Sequence, residues 1–463
     1  MKNLSVVILA AGEGTRMKSA KPKVLHGLAG TPLVRWVLSA VRQLKPESIH
    51  LVVGHGAAEV RKELSADGIV FVEQKQRLGS GHALRRAAKH LLNFRGDVLV
   101  LCADTPLIRP ETLRRLIAFH RKEKNAATVL SGCFSNPFGY GRIVRSPSGQ
   151  VKCITEEKDA TPEQKLITEI NSGIYCFASP PIWNAVSRIG NMNAKREYYL
   201  TDAIAILDAG GRKVGAYSGV TPEEILGIND RINLAAAEEI VRSRVLARHM
   251  ADGVTIPAPQ HTHVMPGAKI GRDTVLYPGT VIESGTVIGS NCRIGPYTLV
   301  RDSRIGDNAE ISFSCLTGAV VGDGVRVGPY AHLRPGAVLR KGARVGNFSE
   351  VKKSVVGEGS KVNHLSYIGD AYLGRGVNIG AGTITCNFDG VNKNKTFIGD
   401  RTFVGSNVNL VAPIKIGADT VLAAGSTFTE NVPGGSLGIA RSRQIHKVRK
   451  KVTDRQDEQD SVG

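Results

Sequence analysis

With 463 residues, of which 42% are apolar and 22% charged, the chain is globular and too long for one ordinary core, so two or three domains are expected. Its formal charge of +20 comes with no zinc-finger, RNP or basic-zipper pattern, which favours small phosphorylated anions as partners and argues against nucleic acid. The longest apolar runs, such as residues 98–103, are far too short to span a membrane. The seven cysteines are scattered and contain no CxxC pair, as expected of free thiols in a reducing cytoplasm. His261 and His263 are a close pair with no further ligands near them in sequence, so zinc is not expected.

Near the N-terminus Lys2 precedes a short apolar stretch, but this runs straight into a glycine loop and reads as a strand rather than a leader. Residues 5–9 (SVVIL), 49–53 and 98–101 read as buried strands of a parallel sheet. Helical patterns at 32–43 and 81–92 lie between them, which predicts an α/β domain with helices on both faces. Residues 231–250 lack Gly and Pro and carry a rough apolar stripe, predicting one long connector helix capped by Asn229 or Asp230.

From Gly267 the period changes. Ile270, Leu276, Ile282, Ile288, Ile294 and Val300 recur every six residues, the phase slips, and it returns at Val321, Val327, Leu333, Leu339, Val345 and Val351. A third run goes Ile398, Val404, Leu410, Ile416, Leu422. One inward aliphatic per six residues predicts a parallel β-helix with three short strands per coil. The 52 glycines are its corners. An insertion, CNFDGVNKNKT, breaks the register after Thr385, and loops that interrupt a strict repeat often carry function. Four segments follow: 1–228, a connector 229–250, the prism 251–436, and a basic, poorly ordered tail 437–463.

The first strand runs into LAAGEGTRM (residues 9–17), with Pro22 and Lys23 just beyond. Gly12 and Gly14 alone could merely turn the chain. With Arg16 and Lys23 downstream to take phosphate charge, the loop reads as a phosphate cradle of backbone N–H groups. Asp104 ends a strand and faces the ligand crevice of such a sheet, where it could hold a divalent cation or simply terminate the strand before Pro106.

LAAGxGTRM followed by PK resembles the sugar-phosphate nucleotidyltransferases. Joined to a hexapeptide β-helix, it is similar to the family of bifunctional N-acetylglucosamine-1-phosphate uridylyltransferases and glucosamine-1-phosphate N-acetyltransferases. The likeness runs to about Arg441. It implies a Rossmann-like nucleotidyltransferase domain, a long connector helix and a left-handed parallel β-helix. It implies that Leu9, Ala10, Ala11, Gly12 and Lys23 bind UTP, with Gln74, Gly79 and Ser80 near the uracil. Gly141, Glu156 and Asn171 would hold sugar and nucleotide, and Asp104 with Asn229 would bind Mg²⁺. Arg16 and Lys23 would neutralise phosphate charge while the sugar phosphate attacks the α-phosphorus in line; its nucleophile is already anionic and needs no base.

In the prism, Val362 and Ile368 fall inward by the repeat, which leaves His364 outside, where a general base for acetyl transfer must be. By resemblance Arg334, Lys352, Tyr367 and Asn378 bind the amino-sugar phosphate. Ala381, Asn387, Phe388, Ser406, Ala424 and Arg441 match the acetyl-CoA site, although Phe388 stands where the family commonly has Tyr. The likeness also implies a cytoplasmic homotrimer without membrane insertion, supplying the UDP-sugar precursor of peptidoglycan and lipopolysaccharide. Two other readings are a nucleotidyltransferase with a regulatory prism and an assembly module that merely trimerises. The His364, Arg334 and Lys352 set argues against the first, and the inserted loop against the second.

Overall fold

The computed structural model describes residues 3–448. These form two compact units that divide between Arg244 and Val245. In the first, seven strands lie side by side in the order Val214–Tyr217, Ala127–Cys133, Glu169–Ser179, Gly96–Cys102, Leu4–Ala10, Ser48–Val53 and Val70–Glu73. The last four are mutually parallel, as the sequence predicts for three of them. The sheet as a whole is mixed, because Glu169–Ser179 runs antiparallel to both its neighbours. That strand is reached through the antiparallel hairpin Arg142–Arg145 and Val151–Thr155. The intervening chain holds only the one-turn helix Pro162–Lys165, so no full-length crossover helix of the usual βαβ kind precedes this strand.

Both faces of the sheet are covered. Along the first strand Leu4, Val6, Ile8 and Ala10 join one core and Val7 joins the other, the period-two alternation of a strand. Helix Leu33–Arg42 packs on the first face through Val34, Val37, Leu38 and Val41, and helix Ser80–Leu91 on the second through Ala83, Leu84, Ala87 and Leu91. Parallel pairing of Leu4–Ala10 with Gly96–Cys102 brings their carboxyl ends together. The loops that leave those ends build the first site.

The long helix runs Arg231–Ala251. Of the two expected caps it is Asp230 that acts, its Oδ1 accepting from Asn233 N at 2.8 Å, so the Asn229 side chain is left for other work. Within the first unit the helix is anchored by Glu238, which accepts from Ala29 N at 2.8 Å, and by Arg244, which donates to Leu107 O at 3.0 Å. Leu246, 2% exposed, belongs to the core of the second unit.

The second unit is a β-helix: three parallel sheets of 10, 9 and 10 short strands, each strand paired with its equivalents in the coils above and below. The predicted inward aliphatics from Leu276 to Leu422 are all buried, and Ile270, at the end of the prism, is partly so. The slip in phase comes from shortened corners, with Ile305, Ile311 and Leu316 carrying the inward column from Val300 to Val321. At the insertion the inward position is taken by Thr385, whose hydroxyl accepts from Gly369 N at 2.8 Å. Leu437–Gly438 pairs as a strand of the last coil. The expected basic tail lies outside the described residues from 449 onward. All seven cysteines are free thiols. Among the described residues no helix is long and apolar enough to cross a membrane.

Candidate functional sites in the two units

In the first unit a cavity of about 510 Å³ opens at the strand ends, lined by Leu9, Ala10, Ala11, Gly12, Lys23, Gln74, Gly79, Ser80 and Asp104 among others. Gly14 has φ +67°, and a Cβ there would stand 2.7 Å from Lys23 Cβ, so glycine is what lets the loop fold back on Lys23. Gly79 has φ +106°, and a Cβ would sit 2.6 Å from Tyr198 O. Gly12 has open space where its side chain would be, which leaves backbone accessible to a ligand.

Lys23 Nζ is held 2.5 Å from Asp104 Oδ2 and 3.2 Å from Asn229 Oδ1. Two oxygen donors therefore converge on one point, now held by an ammonium. A carboxylate and an amide oxygen beside a phosphate cradle suit Mg²⁺, which prefers few protein ligands completed by phosphates and water. The backbone assists, since Ile228 N donates to Asp104 O at 2.8 Å and so ties the segment carrying Asn229 to the strand end.

The expected sugar residues gather nearby. Asn171 N donates to Gly141 O at 2.8 Å, and the Asn171 amide is fixed by Tyr175 Oη at 2.8 Å and Gly173 N at 3.0 Å. Burial pushes the Glu156 carboxyl up, opposed by Lys195 and by the Thr201 hydroxyl at 3.3 Å. Cys102, not foreseen from sequence, lines the same cavity. Burial, with Asp104 and Glu156 adding to it against Lys23, raises its thiol to about 12, so it is a neutral wall rather than a nucleophile.

Two expectations fit less closely. Arg16 lies exposed on the turn beyond the loop and is not among the residues lining the cavity. Ser80 Oγ accepts from Leu200 N at 3.1 Å, so it also braces the wall. A further gathering of Asp97, His120 and Cys176 is internally satisfied: Asp97 pairs with Arg121 at 2.5 Å, and His120 Nδ1 bonds Thr128 Oγ1 at 2.9 Å.

In the β-helix the site follows from the corners. Phe348, Leu365, Gly382, Asn407 and Gly425 all have positive φ and turn the chain at one edge in successive coils. The residues just before them are Asn347, His364, Ala381, Ser406 and Ala424, so the expected base and three expected acetyl-CoA residues form one column. Arg441 ends it, donating to Ala424 O at 2.6 Å. His364 is exposed. Its Nδ1 lies 2.9 Å from Asn347 Oδ1, across the register pair Asn347 and His364. An amide oxygen there holds the proton on Nδ1 and leaves Nε2 with its lone pair outward. Asn378 stands on the same sheet, opposite Lys361.

On the adjacent sheet Arg334 Nη1 pairs with Glu350 Oε1 at 2.8 Å, and Glu350 and Tyr367 are register partners. Gly369 leaves the space over which the Tyr367 ring lies; a Cβ there would strike its hydroxyl. Lys393, from the insertion, was missed in sequence reading. It crowds Lys352 and pushes that ammonium below the usual lysine range, with lost hydration and Arg334 adding to the effect. Arg334, Lys352 and Lys393 outnumber the two carboxylates beside them, Glu350 and Asp370, and leave an excess of positive charge that suits an anion. The insertion that delivers Lys393 is itself built. Asp389 accepts from Val391 N, Asn392 N and Asn394 Nδ2, and Asn394 N donates to Asn387 O at 2.7 Å. Asn387 is buried and donates to Asp370 at 2.6 Å, whereas Phe388 is exposed.

Comparison with known proteins agrees with this division. Residues 6–165 match the MobA-like NTP transferase domain, and residues 267–302 and 318–353 match the bacterial transferase hexapeptide repeats. The chain is 48% identical over 447 residues to a bifunctional protein GlmU of Acetivibrio thermocellus, covering 96% of this chain and 97% of that one. It is also 49% identical to that of Caldanaerobacter subterraneus (96% and 97% covered) and 48% identical to that of a Geobacillus species (95% and 96% covered).

Proposed function

The chain belongs to the bifunctional GlmU family and is an acetyltransferase and uridylyltransferase of UDP-N-acetylglucosamine biosynthesis, and we propose that each unit carries one of the two reactions on the residues described above. The β-helix transfers acetyl from acetyl-CoA to glucosamine-1-phosphate. The first unit then transfers uridylyl from UTP to N-acetylglucosamine-1-phosphate and releases pyrophosphate.

For uridylyl transfer the observation that carries the reading is the convergence of Asp104 and Asn229 on Lys23 at the floor of the glycine-loop cavity. Asp104 and Asn229 would hold Mg²⁺, which supplies charge neutralisation and alignment of the phosphates. With Asp104 and Asn229 holding the metal, Lys23 would be free to bond a phosphate oxygen. The backbone of residues 9–12 cradles the phosphates, and Arg16 adds charge at the outer end of the triphosphate. Gln74 and Gly79 face the base, while Gly141, Glu156 and Asn171 seat the sugar. No proton has to move, since the attacking phosphate oxygen is already anionic.

For acetyl transfer Arg334, Lys352 and Lys393 seat the sugar phosphate, with Tyr367 and Asn378 bonding the sugar. His364 Nε2 takes the proton of the ammonium, so that the neutral amine attacks the thioester. Acetyl-CoA lies along the corner column from Ala381 to Arg441, with Asn387 and Phe388 at the inserted loop. We place the protein in the cytoplasm, consistent with its seven free thiols, and as a homotrimer. Supporting the latter, the His364 edge continues into an aromatic ladder of Tyr297, Phe313, Tyr330 and Phe348, with centroids 5.4–5.8 Å apart. Three of these rings are more than half exposed.

The test is to follow thiol release from acetyl-CoA with glucosamine-1-phosphate, and pyrophosphate release from UTP with N-acetylglucosamine-1-phosphate. Asp104→Asn should stop only the second and His364→Ala only the first. Loss of both reactions in either variant contradicts the assignment.

A further inference from the structure

Gln74 follows the strand Val70–Glu73 and is 3% exposed, yet it lines the cavity of the first unit. Its Nε2 donates to Gly79 O at 3.1 Å and lies 2.9 Å from His82 Nδ1. A carbonyl oxygen can only accept, so the Gly79 contact fixes which end of the amide is nitrogen. The second amide N–H then goes to His82 Nδ1, which must be an unprotonated acceptor. Burial, helped by Arg86 and Arg85 and opposed by a hydrogen bond to the Gln76 backbone, lowers the His82 pKa, in the direction that favours the neutral ring. With both amide hydrogens used, Oε1 has no protein partner among the described residues. It is an acceptor on a residue that is otherwise buried, at the wall of a cavity and available to a ligand.

We propose that His82 is a positioning residue for base selection: it locks Gln74 with Oε1 presented to the nucleotide base, so that the site takes a pyrimidine with a ring N–H and rejects one with a lone pair at that place. Uracil carries a hydrogen on N3. Cytosine carries a lone pair there and an amino group beside it, and would set acceptor against acceptor. If Gln74 were free to turn, it would serve either base. His82, at the third position of helix Ser80–Leu91, stands within that helix and not in the loop, so its ring is held by the fold. The inference rests on reading this cavity as the UTP site.

The experiment compares kcat/KM for UTP and for CTP, with N-acetylglucosamine-1-phosphate as acceptor. It uses the full-length enzyme and the variants His82→Leu, His82→Asn and Gln74→Leu. The ratio of the two constants does not depend on how much of a preparation is folded, so a destabilised variant remains readable. His82→Leu removes one neutral hydrogen bond from the lock, and the preference for UTP should fall by about tenfold, the usual worth of such a bond. His82→Asn returns an acceptor oxygen and should recover part of the preference. If His82→Leu lowers both constants equally and leaves the ratio unchanged, His82 only packs against the wall and the proposal fails. If Gln74→Leu leaves UTP turnover and the ratio as in the parent enzyme, the cavity is not the base site, and the underlying reading fails with it.

Discussion

Replacing Asp104 by Asn keeps the shape of the first site and removes one charge. At 2.5 Å from Lys23 Nζ, with Lys23 12% and Asp104 24% exposed, the pair has a gross attraction of about 6–7 kcal/mol at an effective dielectric near 20. Most of that is offset by lost hydration, and breaking fully buried pairs costs about 3–5 kcal/mol. For this partly exposed pair, with Asn229 still bonding the lysine, a loss of roughly 1–2 kcal/mol is expected, which is small beside the ~5–15 kcal/mol of a typical domain. The first unit therefore stays folded. Both tryptophans, Trp36 and Trp183, lie in that unit, so urea titration followed by their fluorescence reads its stability alone. Catalytically the variant loses the one charged group of the proposed metal site, an effect of several kcal/mol, and pyrophosphate release should fall by about a thousandfold or more. Acetyl transfer by the same molecules is the internal control. Uridylyl transfer within tenfold of the parent at saturating UTP and Mg²⁺ would refute the reasoning, as would a loss of stability large enough to account for the lost rate.

In the β-helix, His364→Ala should lower acetyl-transfer kcat by about two to four orders of magnitude and leave KM for acetyl-CoA nearly unchanged; a variant that lost affinity but kept kcat would make His364 a binding residue and point to Glu350 as the base. His50 is buried with its pKa lowered to about 4 by burial, and His90 adds to the effect. The unfolded chain therefore binds more protons between about pH 4 and 6.5, and the first unit should lose on the order of 2 kcal/mol as pH falls through that window. His50→Gln, read by tryptophan fluorescence, should flatten that slope, and an unaltered slope would assign it to other groups. Leu246→Ala empties a site at 2% exposure in the prism core and should cost about 2–4 kcal/mol. Acetyl transfer should then be lost at a lower temperature while uridylyl transfer is lost at its original one; equal shifts of both would mean that the two units do not unfold separately.

Much of the fold is legible because a prism interior leaves no choice. Each coil must point an aliphatic inward at every face, so the six-residue recurrence of Ile, Leu and Val appears directly in the sequence, and even Thr385 betrays itself as the position before an insertion. The parallel strands of the first unit read as apolar runs for the same reason, since both faces are covered. The antiparallel strand Glu169–Ser179 did not, because direction depends on the connection, and no local pattern records it. The first site is harder still. Lys23 meets Asp104 from 81 residues away and Asn229 from 206, and only a resemblance could pair them beforehand. Lys393 was hidden in a polar insertion where every lysine looks alike. Arg16 is the converse case: a loop motif puts it near phosphate, and the structure sets it on an exposed turn outside the cavity lining, so its assignment still rests on the motif.

The corner column explains why the residues proposed for acetyl-CoA share no chemistry that a sequence could reveal. Asn347, His364, Ala381, Ser406, Ala424 and Arg441 differ in size, charge and polarity, and have in common only their place before a left-handed corner or at the end of the edge. Adjacent strands lie about 4.8 Å apart, so the three steps from Ala381 to Arg441 cover roughly 14 Å along the edge. A long, thin cofactor can be gripped that way, one contact per coil, largely by backbone. Small residues at Ala381 and Ala424 keep the edge open, and the proposed binding mode leaves the reactive end beside His364. A compact, highly charged nucleotide needs the reverse, several charges brought to one point, which loops at the end of a wound sheet can supply and a regular prism cannot. The prism concentrates charge only by breaking its repeat: the loop it inserts carries Lys393 to Lys352, the cluster proposed to seat the sugar phosphate.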